Sequence, residues 1–255
     1  MSAYYNENDK FAAAWLRELI KAGLIADGEV DERSIEEVSA DDVRGFTQCH
    51  FFAGIGGWSY ALRLAGWPDD RAVWTGSCPC QPWSDANVWQ GGGQGDADPR
   101  HLWPAWFRIA SKSRPSVIFG EQVASAVRRG WLDEVFSDLE SADYACGAVG
   151  LPASCVGADH GRRRIWWVAD ADSQGRQRHQ PFEGVSVAAS ASQSIARDAF
   201  AGARRIMGGG YTDLLPRHGV SVQLERYAVR GYGNSIVPQV AQVFIEAYCE
   251  ARGLS

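Results

Sequence analysis

The sequence lacks any long apolar run. No stretch of its 255 residues approaches the roughly 20 consecutive apolar residues that a membrane-spanning helix needs. The first residues also lack a basic region followed by an apolar one, the pattern of an export signal. We therefore expect a globular, cytoplasmic protein with no membrane partner.

Paired cysteines at metal-binding spacing are also missing. The six cysteines include one C-x-C and no C-x-x-C, which argues against a zinc ribbon or a thioredoxin-like site. In a reducing cytoplasm they are expected to be free thiols. No metal site is predicted.

The chain has no overall excess of positive charge, since its net charge is −6. Acidic and basic residues are, however, unevenly distributed along the chain. Residues 1–50 carry 5 Lys and Arg against 11 Asp and Glu, whereas residues 161–230 carry 11 Arg against 6 Asp and Glu. Arginine offers a planar donor fork that suits phosphates and base edges. Residues 161–230 could therefore face a polyanion, although a solvated arginine-rich surface explains the charge equally well.

A glycine-rich turn follows the first strongly predicted strand. Residues 46–52 read as a strand, residues 53–57 contain three glycines, and residues 58–65 have the pattern of an apolar helix. Strand, glycine turn and helix form the ligand-binding unit of doubly wound α/β folds. The spacing does not fit the full G-x-G-x-x-G dinucleotide motif.

Two chemically reactive side chains follow buried strands. Cys80 lies in a proline-braced turn after the apolar run 72–74, and Glu121 follows the run 116–119. If these strands are parallel neighbours, both residues lie on the same rim of the sheet. Taken alone, Cys80 would more often be a buried, inert thiol. An unpaired buried carboxylate is costly, so Glu121 is rarely there for packing.

These features belong to five motifs in a fixed order. They are Phe52-Ala-Gly-Ile-Gly-Gly57, Pro79-Cys80-Gln81, Glu121-Gln122-Val123, His160-Gly-Arg162-Arg-Arg164 and Gly233-Asn234-Ser235. The set resembles that of the DNA (cytosine-5)-methyltransferases over roughly residues 46–170 and 228–250. Each motif alone would be weak evidence, and the order makes the resemblance specific.

The resemblance implies a covalent mechanism. Cys80 would add to C6 of cytosine, so that C5 can attack the methyl group of S-adenosylmethionine. Glu121 would bind the base edge and supply a proton at N3, while Arg162 and Arg164 would orient the base.

The resemblance also implies binding residues. The positions that would contact the cofactor, S-adenosylmethionine, are Phe52, Ala53, Gly54, Ile55, Gly57, Pro79, Leu102, Asn234 and Ser235. The family flips its base out of the duplex, and Gln81 and Ser84 would contact the DNA there. Residues 173–229 fall where the family keeps its target-recognition region.

The chain departs from the family by being short. Only 26 residues separate Gly54 from Cys80, where the family normally fits two more strands with acidic residues for the ribose and the adenine. We therefore expect a sheet trimmed at the cofactor edge, with residues 1–45 replacing part of what is missing. Gln122 also replaces the usual Asn, and His160 the usual Gln.

The predicted architecture is an α/β protein with a doubly wound, mostly parallel sheet of the S-adenosylmethionine-dependent methyltransferase fold. Residues 1–45 are predicted to be a helical segment, residues 46–172 and 230–255 the catalytic domain, and residues 173–229 a small irregular insert. The predicted function is that of a monomeric DNA (cytosine-5)-methyltransferase that acts on double-stranded DNA, as in restriction protection or in modifying the genome of a mobile element. The alternatives are a non-catalytic DNA-binding relative and an RNA cytosine methyltransferase.

Overall fold

The computed structural model describes residues 2–79, 101–128, 130–159, 161–171 and 235–254. The predicted insert at 173–229 lies outside these residues. None of the helices in the described part of the chain is long and apolar enough to cross a membrane.

A single sheet of seven strands organises the described residues. The strands are β1 (Ala3–Asn6), β2 (Gly28–Asp31), β3 (Gln48–Phe51), β4 (Val73–Gly76), β5 (Val117–Val123), β6 (Ala145–Pro152) and β7 (Arg163–Asp170). Their order across the sheet is β2-β1-β3-β4-β5-β7-β6. The first five strands in this order are parallel, whereas β7 is antiparallel to both β5 and β6. The mostly parallel sheet predicted from the sequence is confirmed.

Helices cover both faces of this sheet. They are α1 (Lys10–Lys21), α2 (Gly57–Leu64), α3 (Trp103–Ser113), α4 (Ala124–Arg128), α5 (Trp131–Ser141) and α6 (Pro238–Arg252), with a short 3-10 helix at Ala153–Val156. Helix α1 begins where the Asp9 side chain accepts hydrogen bonds from the backbone N–H groups of Phe11 and Ala12. Helix α6 begins with Pro238, whose missing N–H is not needed in the first turn.

The edge of the sheet that we expected to be trimmed carries two strands. Both come from residues 1–45, which were predicted to be helical only. Strand β1 pairs with β3 from Ala3 opposite Gln48 to Asn6 opposite Phe51, and β2 lies outside β1. The family's extra strands would follow the glycine turn in the chain, whereas β1 and β2 precede it.

Side chains alternate between the two faces along each strand, as the pleat requires. Tyr5 packs with α1, and its hydroxyl hydrogen-bonds to Ser59 of α2, so both helices lie on the face of Tyr5. Phe51 contacts Trp106 of α3, which lies on the opposite face. Tyr4 also packs in the core of that second face.

The early position of β1 and β2 changes the hand of one crossover. Helices α1 and α2 lie on the same face of the sheet. Helix α1 connects β1 to β2, toward the β2 edge of the sheet, whereas α2 connects β3 to β4, away from that edge. These two strand–helix–strand units must therefore have opposite hands. Helix α3 leads in the same direction as α2 but on the other face, so α2 forms the exception. The β3-α2-β4 unit therefore has the opposite hand to β1-α1-β2 and to β4-α3-β5, whereas such units almost always share the right-handed sense.

Candidate active site

The carboxyl ends of the five parallel strands lie along one edge of the sheet. The register aligns Asp31, Asn6, Phe51, Gly76 and Gly120 in a single row across β2, β1, β3, β4 and β5. The residues that follow this row are therefore neighbours in space, although they are far apart in the chain. In doubly wound sheets ligands bind at this edge. The following residues include Glu7, Phe52, Ser77 and Glu121.

The glycine turn after β3 is held against the end of β1. Phe52, Gly54 and Gly56 have positive φ angles of 51°, 55° and 82°, a conformation that favours glycine. A Cβ atom at Gly54 would meet no atom within 4 Å, so this face of the turn is open. The N–H of Gly54 donates a 2.7 Å hydrogen bond to Glu7 Oε2. The turn thus presents open backbone beside a carboxylate.

Glu7 is an acidic residue that sequence reasoning missed. Its Oε1 accepts a hydrogen bond of 2.9 Å from the N–H of Asp9. Burial raises the pKa of Glu7, against the opposing effect of the N–H groups of Asp9 and Gly54. The signal was present in the sequence, since Glu7 comes soon after the apolar pair Tyr4-Tyr5 and precedes a helix, as Glu121 comes soon after the apolar run 117–119.

Asp31 is the acidic residue at the end of β2. Burial tends to raise its pKa, but hydrogen bonds from Arg33 and Tyr4 outweigh burial, and the net shift of the pKa is downward. The Arg33 guanidinium lies 2.6 Å from Asp31 Oδ2, and the Tyr4 hydroxyl donates to Asp31 Oδ2 at 2.7 Å. Asp31 is thus fixed by two partners within its own edge of the sheet.

The other predicted cofactor residues border the glycine turn that follows β3. A Cβ atom at Gly57 would lie 2.7 Å from Ile236 Cγ1 and 3.4 Å from Ser235 Oγ, so glycine allows the segment before α6 to approach α2. Phe52 and Leu102 both pack on the aromatic core beneath the turn. The remaining described cofactor residues are Ala53, which is buried, and Ile55 and Pro79, which are half-buried.

Glu121 is buried within β5, one residue beyond its pairing with β4, beside the predicted arginines. Only 8% of its surface is exposed, and Arg164 Nε lies 2.8 Å from Glu121 Oε1. The geometry is that of an ion pair, and within the described residues Oε1 accepts no aligned hydrogen bond. Burial raises the pKa of Glu121, and the positive charges of Arg164 and Arg162 oppose this effect.

Arg162 connects the two parts of the site. Its Nη2 donates a 3.1 Å hydrogen bond to the backbone oxygen of Ser235, which precedes α6. The same guanidinium is close enough to Glu121 to lower the pKa of that carboxyl group. Arg162 therefore joins the predicted base-binding residues to the predicted cofactor-binding residues.

The predicted nucleophile, Cys80, lies just beyond the described residues, which reach Pro79. Cys80, Gln81, Ser84, His160 and Asn234 all fall outside them. Cys78 is buried, and burial raises the pKa of its thiol well above the usual value. Gln122 Nε2 donates to the backbone oxygen of Cys78 at 3.4 Å. The residue that replaces the family's Asn thus contacts the backbone two positions before Cys80.

Comparison with known families decides the classification. The family model described as C-5 cytosine-specific DNA methylase matches residues 67–195, just over half of the chain. The chain belongs to this family. Its sheet is that of the S-adenosylmethionine-dependent methyltransferase fold, as predicted. None of the curated proteins matches the sequence.

Several solved structures of methyltransferases resemble this chain distantly. The Entamoeba histolytica methyltransferase EhMeth is 16% identical with a TM-score of 0.44, and the match covers 71% of this chain and 49% of EhMeth. The S. pombe Dnmt2 methyltransferase is 12% identical with a TM-score of 0.44, covering 84% of this chain and 57% of that one. A Spodoptera frugiperda DNMT2 mutant is 14% identical with a TM-score of 0.41, covering 71% and 54%. This chain thus spans about half the length of these proteins.

Proposed function

We propose that the chain is an active DNA (cytosine-5)-methyltransferase. The observation that carries this proposal is the buried Glu121, whose carboxyl group is held beside Arg164, with Arg164 Nε 2.8 Å from its Oε1. A buried carboxyl group paired with arginine is rarely there for packing. A cytosine edge, with its N3 and exocyclic amine, would offer this carboxyl group a hydrogen-bond acceptor and a donor.

Glu121 would act through its protonation state. Since burial raises its pKa, the carboxyl group can hold a proton and deliver it to N3 as the base is attacked. Arg162 and Arg164 would stabilise the carboxylate that remains. Arg164 lies on β7, the strand that pairs antiparallel with β5, and Arg162 immediately precedes β7.

Cys80 would be the nucleophile. Its thiolate forms a bond to C6 of cytosine while N3 takes the proton of Glu121, and the resulting enamine is nucleophilic at C5. When bound, S-adenosylmethionine supplies the methyl group for C5. Loss of the C5 proton to water, cleavage of the C6–S bond and return of the N3 proton to Glu121 then restore the aromatic ring and release the thiolate. A base can reach this site only when it is flipped out of the duplex.

The residues present fit the cofactor. The Gly54 backbone is open, and each oxygen of the Glu7 carboxylate accepts one backbone N–H, which leaves lone pairs free for hydroxyl groups. We therefore add Glu7 to the predicted set and propose that it accepts hydrogen bonds from the ribose. Phe52, Ala53, Ile55, Gly57, Pro79, Leu102, Asn234 and Ser235 would complete the pocket. Gln81 and Ser84 would contact the DNA, and Arg-rich residues 161–230 would face its phosphates.

Labelled S-adenosylmethionine tests the proposal when it is incubated with duplex DNA or with RNA. The expected result is label in DNA cytosine for the wild type and for Cys155→Ala, and none for Cys80→Ala. Label in RNA alone would establish the RNA methyltransferase instead. If duplex DNA binds but no label appears in any substrate, the chain is a non-catalytic DNA-binding relative.

A further inference from the structure

A hydrogen bond joins helix α2 to the segment that leads to Cys80. Trp58 Nε1 donates to Ser77 Oγ at 3.0 Å. Trp58 lies in the first turn of α2, directly after Gly57 of the glycine turn. Ser77 directly follows β4 and precedes Cys80 by three residues. The bond therefore connects the segment predicted to bind the cofactor to the segment predicted to carry the nucleophile.

The chemistry of the two groups gives this hydrogen bond one direction. An indole N–H can only donate, whereas a serine oxygen can accept. Trp58 is 3% exposed, and a donor that is buried so deeply is costly to leave unpaired. Movement of Ser77 away from α2 is therefore opposed by the cost of leaving the indole N–H without its acceptor.

The indole ring of Trp58 is itself held by two aromatic contacts. It stacks on Phe119 with centroids 6.3 Å apart and meets Trp166 edge-on at 5.4 Å. Phe119 belongs to β5 and Trp166 to β7, and these two strands pair with each other in the sheet. The position of the indole N–H is therefore set by the sheet as well as by α2.

The next residue of the segment is held by a different element. Gln122 of β5 donates from Nε2 to the backbone oxygen of Cys78 at 3.4 Å. Ser77 is thus attached to α2 and Cys78 to β5, immediately before Pro79. Two consecutive attachments to different elements restrict the path along which the backbone continues to Cys80.

We propose that Trp58 is a positioning residue that acts through Ser77 to hold Cys80 within reach of the base. The proposal deepens the methyltransferase function and rests on it. A displacement of about 1 Å from the attack geometry can lower the rate of a reaction by up to about a hundredfold. The first turn of α2, which follows the predicted cofactor-binding glycines, would thus also determine where the thiol lies.

A double-mutant cycle on single-turnover methyl transfer to duplex DNA tests the proposal. Trp58→Phe removes the N–H group and keeps an aromatic ring, whereas Ser77→Ala removes the acceptor. Each is expected to lower the rate about tenfold at saturating S-adenosylmethionine. The double variant should be no slower than either single variant, because all three lose the same hydrogen bond. Ser77→Thr keeps the hydroxyl group and is expected to retain the wild-type rate.

Trp67→Phe is the matched control. Trp67 is also 3% exposed and packs on Phe119 at 5.8 Å, but its Nε1 donates to the backbone oxygen of Arg71. Its replacement should therefore leave the rate unchanged. The proposal is overturned if the losses multiply in the double variant, since Trp58 would then act only through packing, or if Ser77→Ala keeps the wild-type rate. If circular dichroism shows that Trp58→Phe fails to fold, the two Ser77 variants decide.

NMR gives a second readout that does not require turnover. In protein labelled with nitrogen-15 at cysteine, the Cys80 amide signal is assigned by its absence in Cys80→Ala. Trp58→Phe is expected to shift this signal in the wild-type background and to have no further effect in the Ser77→Ala background, whereas Trp67→Phe should leave it in place. An unmoved signal in Trp58→Phe overturns the proposal. If the wild type transfers no methyl group, the proposed function fails, but the Cys80 signal still reports whether Trp58 and Ser77 hold this segment.

Discussion

The N–H of Gly54 donates a 2.7 Å hydrogen bond to Glu7 Oε2, although 47 residues separate them in the chain. This bond joins the glycine turn after β3 to the end of β1. The N–H of Ala53 adds a second link, a 3.0 Å bond to the backbone oxygen of Asn6. The first residues of the chain therefore form one wall of the candidate cofactor pocket.

Replacing Glu7 with Gln is expected to weaken binding of S-adenosylmethionine about tenfold, since a hydrogen bond to a charged group is lost. Calorimetric titration measures the affinity. Glu29→Gln is the control, because Glu29 is an exposed residue of the neighbouring edge strand β2. Equal affinities for the two variants would remove Glu7 from the pocket.

Deletion of residues 1–40 is expected to prevent folding rather than only to weaken cofactor binding. The deletion removes β1, β2 and α1, and with them the buried side chains of Tyr5, Leu16 and Ile25. Loss of these side chains exposes the face of β3 and the underside of α2. Circular dichroism and thermal melting measure the outcome. A cooperative melting transition near that of the full chain would contradict this expectation.

Much of the site could be predicted from the sequence because its strands are apolar runs that end in chemically distinctive residues. Glu121 and the glycine turn were located in this way. Strands β1 and β2 were missed, the second for a physical reason. Strand β2 is an edge strand with alternating Glu29 and Asp31, so it has no apolar run to detect, whereas β1 contains the apolar pair Tyr4-Tyr5 and was missed although it is as long as β3 and β4.

Contacts that depend on packing between elements could not be predicted. The hydrogen bond from Trp58 to Ser77 requires α2 to pack across the end of β4. A tryptophan in an apolar helix and a serine before a cysteine carry no local signal of this pairing. The place of β1 beside β3 also depends on non-local pairing, whereas the sequence predicted a sheet trimmed at this edge.

Replacing Gln122 with Met is expected to slow methyl transfer and to destabilise the protein. Gln122 is 1% exposed; its Nε2 donates to the backbone oxygen of Cys78, and its Oε1 accepts from the N–H of Val123 at 2.9 Å. Met fills a similar volume but leaves both backbone groups without these partners, at a cost of about 1–3 kcal/mol. Urea denaturation measures the free energy of unfolding.

The control for Gln122→Met is Gln242→Met. Gln242 lies on the half-buried surface of α6, where it donates to Glu246 Oε1 at 2.8 Å. Its replacement should change stability by about 0.5 kcal/mol or less, as is usual at surfaces, and leave the rate unchanged. The role of Gln122 in holding the backbone before Cys80 would be excluded if both variants transferred methyl groups at the wild-type rate.

Acid is expected to destabilise the protein through His50. This side chain is 1% exposed; its Nδ1 lies 2.8 Å from Thr75 Oγ1, and its ring stacks on Tyr5 at 4.9 Å. Burial lowers the pKa of His50 from 6.5 to about 3. The unfolded chain therefore binds a proton at this position before the folded chain does, so the stability contributed by neutral His50 is complete above pH 6.5 and is lost progressively as the pH falls toward about 3. His50→Gln can still hydrogen-bond to Thr75 but does not titrate. The free energy of unfolding in urea, measured at several pH values between 7.5 and 5, should fall more steeply for wild type than for His50→Gln, and parallel curves would show that another group governs the acid sensitivity.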